Sequence, residues 1–148
     1  MVKQNNIFTA TIDHSKSLNE MIVVGKYDWV NNRDITAEHF LVSGKRKYKI
    51  VFELLHFNKS VSSDEVIAEA KQRGLRLAKI EELLAFGEKY PEEQRKFPIV
   101  ALGSVWKGWD VVLCVPFLWI AGDERILNLD SFGYHWPKYY HFLAVRRS

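Results

Sequence analysis

The sequence predicts an α+β domain, on three observations. Stretches 7–12, 48–57 and 125–130 alternate apolar and polar residues, the period of a half-buried strand. Two segments with helical spacing, the first of them capped, follow one another in the middle of the chain, at 62–74 and 80–90. A continuous apolar run, Ile99, Val100, Ala101 and Leu102, follows them. A run that short, with no polar alternation, suits a strand covered on both faces.

Taken in order, Phe8, Ala10 and Ile12 alternate with Ile7, Thr9 and Thr11 as a first strand. Ser17 caps a short helix carrying Leu18, Met21 and Ile22, with Gly25 as its stop. Residues 27–32 read as an aromatic, amide-rich connector, and Asp34 as the cap of a turn over 36–40. Gly44, Lys45, Arg46 and Lys47 form a basic, solvated turn. In the strand that follows, Tyr48, Ile50, Phe52 and Leu54 share one face. Ser62 and Glu65 have the spacing of a capping box, and Gly74 supplies a left-handed stop. In the next helix Ile80, Leu83, Leu84 and Gly87 fall on one side, and Glu81 and Glu82 occupy the first turn, where the helix dipole favours negative charge. Tyr90 and Pro91 end it, and 92–96 form a helical turn. Pro116 cannot donate to a sheet ladder, so 111–120 is expected to break into two short strands or to bulge. Residues 131–140 read as an ordered loop and 141–145 as the closing strand.

The totals narrow the function classes. A chain of 148 residues with 47% hydrophobic and 26% charged residues suits one soluble domain, here 1–148, with an N-terminal strand–helix–strand portion at 1–57 and the remainder at 58–148. Twenty-one Lys and Arg against 18 Asp and Glu leave +3, too small and too evenly mixed to imply a nucleic-acid partner. The basic set that would carry such contacts is Lys45, Arg46, Lys47, Arg146 and Arg147. Cys114 is the single cysteine, which excludes an intrachain disulfide and fits a cytoplasmic protein. The opening Met-Val-Lys-Gln-Asn-Asn lacks the apolar core of a signal peptide, and no run is long enough to span a bilayer.

The order of two helices, a central apolar strand, a loop-rich β region with a Trp and a closing strand resembles the C-type-lectin-like fold. Gly74, Arg76, Leu77 and Glu82 are also similar to the Gly-x-Arg-Leu-x-x-x-x-Glu segment of formylglycine-generating-enzyme-type domains, a branch of that fold. The chain also resembles a group of small bacterial proteins with no assigned activity, through the blocks 21–31, 83–87, 98–104 and 142–146. The resemblance implies two helices on a mixed, mainly antiparallel sheet, a first strand paired with the last, and an aromatic loop region on one surface. It does not carry its chemistry with it. The motifs of calcium-dependent sugar binding are absent, and one cysteine cannot supply a two-cysteine copper site.

Candidate binding residues therefore come from the late loops: Trp106, Trp109, Asp110, Trp119, Asp123, Glu124, Arg125, His135, Trp136, Tyr139 and Tyr140. Trp, Tyr and Arg combine large contact area with a polar handle, and they dominate binding hot spots. The expectation is a non-enzymatic domain that recognises a protein or other macromolecule through these loops, with no cofactor and no metal. Two alternatives are a metal-assisted hydrolase using Asp110, Asp123, Glu124 and His135, and a weak nucleic-acid contact through the basic set. His14, His39, His56, His135 and His141 lack the spacing of zinc ligands. Ser104 lacks the second glycine of a nucleophile elbow.

Overall fold

The computed structural model describes residues 7–42, 44 and 46–147. The expectation for residues 1–6, Lys45 of the basic turn and Ser148 of the tail lie outside the described residues.

The chain opens with β1 (Ile7–Asp13) and α1 (Leu18–Val24). β2 (Trp29–Val30) and β3 (Lys47–His56) follow, then α2 (Ser63–Gln72), β4 (Leu75–Leu77) and α3 (Ile80–Lys89). After a single 3₁₀ turn (Glu93–Arg95) come β5 (Ile99–Val100), β6 (Trp106–Lys107), β7 (Leu113–Ala121), β8 (Glu124–Ser131) and β9 (His141–Arg146). The described residues thus form an α+β fold, with one mixed sheet in the order β1-β3-β9-β5-β7-β8-β2, β4 added to β9 and β6 to β7.

Both expected N-terminal helix boundaries form as capping boxes. Ser17 accepts from the Glu20 N–H while Glu20 accepts from the Ser17 N–H, and Ser62 and Glu65 do the same. α3 has half of that arrangement, with Glu82 accepting from the Lys79 N–H, and takes its other cap from across the fold, with Ser104 Oγ accepting from the Ile80 N–H at 2.8 Å. Gly103 makes that approach possible, since a Cβ there would sit 2.5 Å from the main-chain oxygens of Leu77 and Ala78.

Ile99 and Val100 lie between β7 and β9, fully buried, and they point to opposite faces. Ile99 joins a core with α1 and α3, built from Leu18, Met21, Leu83, Leu84, Phe86, Phe52 and Leu118. Val100 joins a second core with α2, built from Val66, Ala70, Leu55, Val115, Phe142 and Trp136. Helices therefore cover both faces of the sheet, and the apolar run is continuous because each side of it meets one of them.

Several expectations need correction. β3 stands between β1 and β9, so the first strand does not pair with the last. Leu75, Arg76 and Leu77, between the two central helices, form a strand on β9, and Trp29 and Val30, inside the expected connector, form one parallel to β8. Such short strands carry no readable period. β7 is unbroken through Pro116, which pairs with Leu129 on β8. The Pro116 carbonyl accepts from the Ala101 N–H, so its nitrogen faces the same edge, just past the end of β5; only the reciprocal bond to Ala101 is missing, and the pairing with β8 is undisturbed. Gly25 does end α1, as expected, but in a right-handed conformation (φ −74°), with the positive φ at Lys26. Asp34 does not cap the turn at 36–40; Thr36 Oγ1 accepts from the His39 N–H there. No helix among the described residues is long and apolar enough to cross a membrane.

Candidate recognition site

The expected late-loop residues separate into three places. Asp123 and Glu124 are exposed at the tight β7–β8 turn. Trp106, Trp109 and Asp110 sit at the other end of that hairpin, because Trp106 pairs with Cys114, whose β8 partner is Ser131. Seven residue steps of strand separate the two ends, about 23 Å. His135, Trp136, Tyr139 and Tyr140 lie on the α2 face, with the sheet between them and Trp106. Asp110 is therefore remote from Asp123 and Glu124, and no group of three or more metal-binding side chains converges among the described residues.

Two of the expected contact residues are internal. Trp136 is 0% exposed. It donates Nε1–H to Ser63 Oγ at 3.0 Å, and its main chain forms a two-way bridge with Val61, which seals the 131–140 loop onto α2. Arg125 is 5% exposed. It donates to Gln94 Oε1 and to the carbonyls of Gly25 and Gly87, and its guanidinium lies 4.6 Å from the centre of the Tyr27 ring. These contacts join the ends of α1 and α3 to β8. Trp119 is half-buried and stacks on Phe117, Tyr140 packs on Trp136, and His135 is exposed, sharing a hydrogen bond with Ser60.

The remaining cluster is the β6–β7 hairpin and the 31–40 loop beneath it. Trp109 is 73% exposed, yet its Nε1–H donates to Asp34 Oδ1 at 3.3 Å. Asp34 is itself fixed by a two-point hydrogen bond from Arg33 and by Asn31, whose Nδ2–H donates to Oδ2 and whose Oδ1 accepts from the Asp34 N–H. The Arg33 contact holds the Asp34 carboxyl below the usual carboxylate range, against the opposing effect of burial. His39 donates Nδ1–H to the Asp34 carbonyl at 2.7 Å, stacks flat on Trp106 with ring centres 3.9 Å apart, and meets Trp109 edge-on. Trp106, Trp109, Asp34 and Cys114 border an open trough of about 590 Å³.

The tip of this hairpin is strained. Gly108 and Val112 close it through a 2.7 Å bond, and Val111, a β-branched residue, takes φ 59°. A hairpin of this kind ordinarily places glycine there. Val111 is 71% exposed, and Val105, Val112 and Leu113 add further exposed apolar surface.

Neither Cys114 nor Ser104 is an activated nucleophile. Burial, with Asp110, Asp34 and Asp130 nearby, pushes the Cys114 thiol up, so it stays protonated at neutral pH. Ser104 is committed to α3. Arg33, Asp34 and His39 escape sequence reasoning because about seventy residues separate them from Trp106 and Trp109. The polar string Asn31, Asn32, Arg33 and Asp34 is the only local signal. No protein-family model matches the chain, and neither curated proteins nor solved structures give a match to it.

Proposed function

We propose that the chain is a non-enzymatic recognition module, lectin-like from β3 onward with β3 rather than β1 beside the closing strand, and that the β6–β7 hairpin engages a protein or other macromolecular partner. The observation that carries this reading is Trp109: a mostly exposed indole whose orientation is set beforehand by Asp34, Arg33 and Asn31. A side chain fixed before binding loses less conformational freedom on contact, and a large ring beside a carboxylate suits a hot spot. The strain at Val111 supports the same reading, since strained backbone persists where it aims a functional surface.

The test begins with a partner recovered on the immobilised chain, then purified and titrated. Trp109→Ala is expected to weaken that complex about thirtyfold, the effect of removing a hot-spot side chain, with the unfolding midpoint nearly unchanged. Equal affinity of a folded Trp109→Ala protein would reject the hairpin as the contact surface.

A further inference from the structure

We propose a second site, separate from the hairpin: the open edge of β3 receives an extended acidic peptide, which adds a strand beside residues 48–51 and sets its carboxylates against Lys49 and Arg147. β1 covers one edge of β3 from Lys47 to Glu53, whereas β9 covers the other edge only from Phe52 to His56. Residues 47–51 have no strand partner on that second edge among the described residues. A cleft of about 610 Å³ lies along it, with the consecutive residues 48–51 as one wall and Val145, Arg146, Arg147 and Arg76 around the rest. Consecutive residues on a cleft wall are the mark of an exposed backbone edge, since side chains of a strand alternate between faces. Four residues of strand give about 13 Å of edge, enough for a short extended segment.

The charge of the cleft selects what enters. Arg76 is bound through both terminal nitrogens to Glu82, and Arg146 donates to Glu53 at 2.9 Å. Lys49 and Arg147 make no ion pair among the described residues, so the cleft keeps an excess of positive charge. A lysine beside an open edge repels basic chains, and a neutral strand docked there would desolvate its charge without supplying a counter-charge. The same arrangement admits a strand that supplies carboxylates, whose main chain gains hydrogen bonds from β3 while its side chains neutralise the two cations.

The experiment uses the full chain with a fluorescein-labelled alternating Glu/Val hexapeptide, its Lys/Val counterpart and an oligothymidylate. The Glu/Val peptide is expected to bind and the Lys/Val peptide not to. Lys49→Glu combined with Arg147→Glu should weaken binding about tenfold or more. Hydrogen exchange should slow on saturation at the alternate residues of 48–51 whose N–H groups face away from β1, which contact through side-chain charge alone would not produce. The proposal is overturned if the Glu/Val peptide fails to bind, if it binds without slowing those amides, or if the charge reversals leave its affinity unchanged. Oligothymidylate binding that is sensitive to the two reversals, with no slowed amides, would assign the cleft to nucleic acid instead.

Discussion

Arg125 carries a structural load out of proportion to one side chain. Its guanidinium satisfies the carbonyls of Gly25 and Gly87, at the ends of two helices, where a cation also complements the helix dipoles. Arg125→Met keeps the aliphatic stem but strands both carbonyls and Gln94 inside the protein. Urea unfolding should show a loss of about 3 kcal/mol or more, within what unsatisfied buried groups cost. A loss below 1 kcal/mol would mean that water replaces the guanidinium. Nothing in the local string Asp123, Glu124, Arg125 distinguishes this clamp from a surface contact. Trp109 and Trp136 pose the same problem: one residue type, one exposed and one sealed, and the difference lies in what the fold brings beside each. Val111 is the opposite case, a residue whose own conformation opposes its type. Val111→Gly should raise stability by about 1 kcal/mol, read as a higher unfolding midpoint, because glycine tolerates positive φ. It should also weaken partner binding, since it removes exposed apolar surface at the hairpin tip.

At the level of elements, the 131–140 loop is ordered because contacts along its length fasten it: Ser63 Oγ–H donated to the Phe132 carbonyl, the Trp136 bridge to Val61 and its indole bond to Ser63, the His56 Nε2–H donated to the Lys138 carbonyl, and the His141 Nδ1–H donated to the Tyr139 carbonyl. His141 is sandwiched between Phe97 and His56, at ring-centre distances of 3.5 and 4.2 Å. Burial, and then the neighbouring His56, push its pKa from the ordinary 6.5 down to about 4. The unfolded chain therefore takes up a proton before the folded one does. The stability associated with neutral His141 is complete above about pH 6.5 and is lost as pH falls from there toward 4. The difference between wild type and His141→Gln, measured by urea unfolding at each pH, should decline over that window and level off below it; a flat difference would contradict the burial argument. Elements of this kind were legible in proportion to their length and chemistry. Capping boxes and a ten-residue alternating strand announce themselves through spacing. β2, β4 and β6 are two or three residues long and exist only because a longer strand offers them an edge.

Across the whole molecule, one sheet is shared by two cores. β9 alternates between them, with Phe142 and Ala144 facing α2, and Leu143 and Val145 facing α3. β3 does the same with Leu55 and Leu54. The two cores thus lie back to back on the same backbone, and loosening either one removes support from strands that the other needs. The sequence conveyed this sharing through the unbroken apolar run at Ile99–Val100, but not which helix took which side, because both helices present similar apolar stripes. Unfolding should consequently be a single transition. Leu83→Ala opens a cavity on the α3 side and Leu55→Ala opens one on the α2 side, each costing about 3 kcal/mol. Tryptophan fluorescence reads mainly the indole surroundings, and far-ultraviolet circular dichroism reads helices on both faces. The two signals should give coincident midpoints in wild type and in each variant, displaced together toward lower urea. A variant in which fluorescence and circular dichroism part company would show that one helix layer can melt while the sheet and the other layer persist, and the back-to-back coupling through β9 would then be too weak to make the fold one cooperative unit.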